Sequence, residues 1–345
     1  MAPLPTSRVT LSLVFENTGV DYAGPITLKT FQGRGTKSFK GWIAVFVCFT
    51  TSAIHLEAVS DYSAEGFLKV FRRFTSRRGI YKTIRSDCGT NFKGADAILK
   101  DLFRQLTKES QELQRILAND GIKWIFNSPG APHMGGKWEA AVKSVKHHLQ
   151  RTISDTLLTF EDFSTFLAQV EAVLNSRPLS ALSDDPEDIS ALTPGHFIRG
   201  EALTTIPEPS LSSVPESRLS HFQRIHERFQ TFWDRWSTEC LQAHQSISKW
   251  QKTQDNIQVG SLVLLTDERF LPSKWPLARV IQLHLGHDEL CRVVTVKTAT
   301  STLTRPIVKL TLLPISPYRD DLQEEDSNSS HGCGIRGGGG GSVRK

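Results

Sequence analysis

Hydrophobic and polar positions alternate in short runs over the first sixty residues. LVFENTGVDYAGPITL, KGWIAVFVCFTT and SAIHLEAVS each predict a β-strand bounded by turn residues. The middle run is apolar on both faces, the pattern of a central strand in a sheet covered from both sides. At residue 63 the period changes. Phe67, Val70, Phe71 and Phe74 recur at helical spacing, with Ser63 placed as N-cap and Gly79 as the stop. YKTIRS returns to strand and delivers Asp87 at its end; NFKGADAILKDLFRQLTKESQELQRIL then predicts one or two helices, and IKWIFN (122–127) a short strand.

Residues 136–153 predict a helix with Trp138, Ala141, Val145 and Leu149 on one stripe. A second helix over 159–175 turns Phe163, Phe166, Leu167, Val170, Val173 and Leu174 inward. Strands first, then helices interleaved with strands, give a mixed α/β domain over residues 1–200, its sheet covered by helices on both faces. A Pro/Ser-rich link (206–217) and a helical stretch (218–252) carrying Trp233, Trp236 and Trp250 make up a segment over 201–256. These tryptophans, with Trp275, read as core or interdomain anchors rather than stacking platforms. Residues 257–316 turn β-rich and predict a small barrel of about five strands. The tail, 317–345, has too few apolar residues to fold and is expected to be disordered.

The 345 residues suffice for two or three such units, and 39% hydrophobic content is that of a globular chain. A net charge of +5 is modest, so its distribution matters more. Arg72, Arg73, Arg77 and Arg78 cluster after the third strand, and basic residues outnumber acidic ones in both the helical stretch and the barrel. Such patches bind phosphates without reading sequence. Five cysteines without a CxxC pair indicate neither a disulfide framework nor a zinc cluster, which fits a reducing compartment. The longest apolar run, 42–49, is too short to span a bilayer, and the N-terminus lacks an apolar signal core. An intracellular protein with no membrane partner is expected.

Three acids stand where the surroundings are apolar or tightly turning: Asp21 in TGVDYAGP, Asp87 in RSDCGTNF and Glu139 in GGKWEAAVKSVK. Oxygen ligands converging from separate elements are what a divalent ion requires, and two such ions activate an attacking oxygen and stabilise a leaving one at phosphorus. With 36 acids in the chain, spacing alone selects no triple. The motifs around them do. GVDYAGPI, SDCGTNFKGA, PHMGGKWEAAVKSVKHHL, LNSRPL and LTPGHFIRG, in this order, resemble the integrase of BEL/Pao-type LTR retrotransposons.

That resemblance implies a ribonuclease H-like catalytic core followed by an SH3-like C-terminal barrel. It implies a D,D,E triad of Asp21, Asp87 and Glu139 holding two Mg²⁺ or Mn²⁺ ions, and an activity that trims the 3′ ends of element DNA and joins them to target DNA. DNA, both element ends and target, is the implied partner, the nucleus the place of integration, and a homo-oligomer of at least two copies the working form. The 52 residues from Asp87 to Glu139 exceed the spacing familiar from retroviral integrases. With only 20 residues ahead of Asp21, no zinc-binding HHCC module is expected in this chain.

Lys143 and Lys146 follow Glu139 at four and seven residues and share its helix face, and His147 comes next. On an anonymous helix this is a solvated face with one Glu–Lys pair. Beside an integrase triad the three residues are expected to grip DNA phosphates, together with Arg77 and Arg78 of the basic cluster. His147 and His148 are both expected on the surface or against DNA, since no further ligand lies at zinc spacing. Cys88 stands where the family pattern has asparagine, and a thiol differs little from an amide in size. Competing readings are a catalytically impaired or co-opted integrase acting only as a DNA-binding protein, favoured by Cys88, and a ribonuclease H, disfavoured by the GTNF and KSVK phrases.

Overall fold

The computed structural model describes residues 10–33, 35–109, 123–127, 137–153, 157–183, 185, 187–244, 257–266, 270–287 and 290–313. Within its helices, the side chains of 103, 105–109, 137–141 and 243–244 are not described. The expected tail, 317–345, and Trp250 therefore lie outside the described residues.

The larger sheet runs β3 (Ile54–Val59), β2 (Ser38–Cys48), β1 (Asn17–Lys29), β4 (Thr83–Ser86), β5 (Lys123–Phe126). The first three are antiparallel neighbours, while β4 and β5 lie parallel to β1. A two-residue β6 (Leu158–Thr159) joins the far end of β1. The strand predicted to be apolar on both faces is β2, and alternation divides its residues as expected. Ile43, Val45 and Val47 enter one core, Ala44, Phe46 and Cys48 the other.

On the second face sit α1 (Ala64–Arg78) and α2 (Thr90–Glu109). Ser63 caps α1 by accepting the Gly66 amide at 3.0 Å, and Gly79 ends it at φ 86°, a conformation in which glycine meets no Cβ clash. Phe67, Val70, Phe71 and Phe74 are all buried, and Phe74 stacks on Phe46 with ring centroids 4.2 Å apart. The first face carries α3 (Lys137–Ile153), α4 (Phe160–Asn175) and, after a short α5 (Pro194–Arg199), the long α6 (His221–His244). Val142, Val145, Leu149 and Ile153 form the buried stripe of α3; the side chains of Trp138 and Ala141, expected there, are not described.

The outer edge of β3 is not left open. Asn175 of α4 accepts the Ile54 amide and donates to the Ile54 carbonyl, Glu171 accepts the Leu56 amide, and Arg73 donates to the Ala58 carbonyl. Side chains thus make the bonds that a further strand would make at this edge.

The helical stretch expected over 218–252 is described as far as residue 244, with Ile225, Phe229, Phe232, Trp233 and Trp236 all entering the core of the first face. Trp233 and Trp236 are anchors, as expected, and both meet Trp275 of the C-terminal module, at 5.1 and 5.6 Å. That module is an antiparallel sheet in the order β12 (Thr302–Pro306), β11 (Cys291–Lys297), β10 (Leu277–Leu285), β9 (Leu262–Leu265), β13 (Leu310–Leu312). Five strands were expected, but the closed barrel is not found among the described residues. After one 3₁₀ turn (Ile307–Lys309) the three residues of β13 pair with β9, so β12 and β13 remain the two ends of an open sheet. No helix among the described residues is long and apolar enough to cross a membrane.

Candidate active site

The ladder between β1 and β4 pairs Asn17 with Thr83, Thr18 with Ile84 and Gly19 with Arg85. Continued by two residues, it sets Asp21 of β1 level with Asp87, which follows the last residue of β4. Val20 and Tyr22 enter the core beneath α1 and α2, so Asp21 between them faces α3. Ile84 enters that same core, so alternation gives Asp87, just past the end of β4, the same side as Asp21.

Both carboxylates are held locally. Asp21 Oδ1 accepts the Tyr22 amide at 2.7 Å, and Asp87 Oδ1 accepts the Gly89 amide at 3.1 Å in an Asx turn. Cys88 donates its thiol to the Asn127 carbonyl at 3.0 Å, tying the end of β4 to the end of β5. Here the thiol has a structural partner.

From α3, the Lys146 ammonium reaches Asp21 Oδ2 at 2.7 Å and fastens the helix to the acid pair. Glu139 lies in the first turn of α3, seven residues earlier; two helical turns put it on the stripe of Lys146, about 10 Å along the axis. Its side chain lies outside the described residues. Lys143 and His147 are exposed, His147 lying 3.1 Å from Arg151. His148, expected on the surface, is instead buried against Phe232 and lies 3.3 Å from Glu239. Burial pushes its pKa below the usual histidine value. It follows Leu149 into the core because α6 covers that flank of α3.

Arg77 and Arg78 are not brought to the acid pair. They stand at the end of α1 over the β3 edge of the sheet, Arg77 bound to Glu57 at 2.6 Å and Arg78 to Glu171. Arg73 also holds Glu57, at 2.7 Å, and His55 sits between the two glutamates at 3.0 and 3.3 Å. These groups line a cleft of about 590 Å³. Its arginine charge is largely matched from within, so the cluster answers a structural need before any phosphate is present.

Tyr62, which the sequence reading passed over, belongs at the site. Burial raises its pKa, and the charges of Asp87 and Asp21 raise it further, which puts both acids within electrostatic reach of one phenol. A signal existed: an aromatic in the short loop between a strand and a helix N-cap, where function concentrates.

Among the described residues no three His, Cys, Asp or Glu side chains gather as a metal site, and the Glu139 side chain stands outside that set. The donor chemistry nonetheless fits a hard divalent cation. Two carboxylates offer oxygen alone, and the Lys146 ammonium has settled on Asp21.

Residues 220–313, from α6 through the last strand, match the model of a family of unknown function (DUF5641). No curated protein matches the chain. The matched stretch unites a helix that packs into the first core with the sheet that follows it.

Proposed function

We propose that this chain is the catalytic core and C-terminal part of a retroelement integrase, an enzyme that joins the 3′ ends of element DNA to target DNA. The observation that carries the reading is the parallel register of β1 and β4, which continued by two residues brings Asp21 level with Asp87 just past the end of β4, with the helix of Glu139 fastened to Asp21 through Lys146. The strand order 3-2-1-4-5, three antiparallel and two parallel, supports a ribonuclease H-like core. Five short antiparallel strands with a 3₁₀ turn before the last support an SH3-like second module. The ordered motifs around each acid support the BEL/Pao type.

Asp21, Asp87 and Glu139 would hold two Mg²⁺ or Mn²⁺ ions, which supply an activated attacking oxygen and a stabilised leaving oxygen at phosphorus. The protein's own contribution is placement. Amides of Tyr22 and Gly89 fix the two aspartates before substrate arrives, so little reorganisation accompanies binding. Lys146 offsets the charge of Asp21 and offers a donor to an incoming phosphate, while exposed Lys143 and His147 extend the contact along α3. Two element ends must be joined to one target, so at least two copies assemble on DNA, in the nucleus.

The test is a strand-transfer assay with Mg²⁺ or Mn²⁺ on an oligonucleotide carrying an element end. Product from the wild type and none from Asp87→Asn supports the reading. Equal product from both would end it, and DNA retention without product would favour a binding protein derived from an integrase.

A further inference from the structure

The loop between β3 and α1 carries Tyr62 on a rigid mount. Asp61 accepts the Ser63 hydroxyl, Ser63 caps the helix, and Gly66 lets the first turn lie on the Asp61 carbonyl, which a Cβ would meet at 2.2 Å. The Tyr62 ring lies 5.1 Å from that of Tyr22 and 5.4 Å from that of Trp42, and Tyr22 stacks at 5.4 Å on Phe92. Two of these rings lie close to an acid along the chain. Tyr22 follows Asp21 on β1 and donates its amide to it, while Phe92 lies in the first turn of α2, which begins just beyond Asp87. Tyr22 is 7% exposed and Tyr62 44%, so Tyr62 is the outer ring of the stack, and the charges of Asp21 and Asp87 reach it. Among the described residues its hydroxyl has no hydrogen-bond partner.

Two carboxylates repel a phosphate, and Lys146 is the cation beside them. A neutral donor held close by offsets part of that repulsion without cancelling the charge that attracts a metal. We infer that Tyr62 contacts the reacting DNA end, its hydroxyl donating to a phosphate oxygen beside Asp21 and Asp87. This role rests on the integrase reading. The raised pKa keeps the phenol protonated, and therefore a donor, throughout the neutral range.

The experiment compares the full-length wild type with Tyr62→Phe, which keeps the stacked ring, and Tyr62→Ala, which removes it, on the element-end oligonucleotide with Mg²⁺. Tyr62→Phe should lower the single-turnover rate about ten-fold, the effect of one lost hydrogen bond, with unchanged DNA anisotropy and thermal midpoint. Tyr62→Ala should lower rate and midpoint together. A second readout is free of turnover. The wild-type minus Tyr62→Phe ultraviolet titration isolates this phenol, and the phenol should titrate at lower pH in an Asp21→Asn/Asp87→Asn background. A wild-type rate in Tyr62→Phe overturns the contact while leaving the integrase reading intact. A titration unmoved by the double variant overturns the proximity to the acids. Absence of product from the wild type removes the integrase reading and this role with it.

Discussion

At the β3 edge of the large sheet, two glutamates meet three arginines and a histidine; at its centre, among the described residues, two aspartates stand with one lysine, bound to Asp21. The first group closes on itself: Glu57 takes Arg73 and Arg77, Glu171 takes Arg78, and His55 lies between. Glu57 and Glu171 are nearly enclosed, so their charges must have partners within the protein. Asp21 and Asp87 are more open, and the remainder of their charge is left for something that comes from outside. Charged side chains thus hold the fold together in one place and, on the proposed reading, receive a ligand in the other.

That contrast is broken most strongly at the centre. Asp21→Asn and Asp87→Asn should each lower strand transfer at least about 100-fold, beyond the effect typical of a residue that merely orients a metal ligand. Denaturant midpoints should stay near wild type, since neither acid closes a buried network. At the edge the signs exchange. Glu171→Ala strands Arg78, His55 and the Leu56 amide together, and should cost about 3–5 kcal/mol in chemical denaturation, the range for a broken buried pair. Asn175→Ala orphans the amide and carbonyl of Ile54 and should cost about 1–3 kcal/mol.

The smallest effect is a pH dependence. Burial pulls the His55 pKa down, but hydrogen bonds to Glu171 and Glu57 outweigh it and leave a net rise. A raised folded pKa means that this contribution is complete below the unfolded value of about 6.5 and is lost as pH climbs through the folded one. Glu57 behaves oppositely. Burial raises its pKa, hydrogen bonds from His55 and Arg73 lower it further than that, and its contribution fades as pH falls through the depressed value. Denaturant midpoints should therefore decline on the alkaline side of about 6.5, and the decline should vanish in His55→Gln. A midpoint that rises there, or an equal slope in the variant, would remove the histidine from the network.

What could be read from the chain follows the range of the forces involved. The ends of α1 were legible because Ser63 and Gly79 act within one turn, and the two-sided apolar pattern of β2 because burial leaves a local imprint. The levelling of Asp21 with Asp87 is not local. It depends on β1 pairing with a strand more than sixty positions later, and only the motifs pointed to it. The ion pair of Arg78 is equally out of reach of a local reading. A basic cluster looks free until Glu171, from a distant helix, is folded onto it. His148 was read as surface because its cover, α6, lies far along the chain. Closure of the small sheet was expected from the number of its strands, yet it turns on which partner three residues of β13 adopt.

The carboxamide of Asn175 has a consequence for how copies of this chain can meet. An edge strand with free amides and carbonyls invites a strand from a neighbour, and repeated addition leads to fibres. Asn175 answers both polar groups of Ile54, and Glu171 and Arg73 answer those at Leu56 and Ala58. One rim of the large sheet is thereby sealed against polymerisation. If copies of this chain assemble as proposed, they do so away from this rim, and contacts through side-chain surfaces can form closed, countable assemblies rather than endless ones.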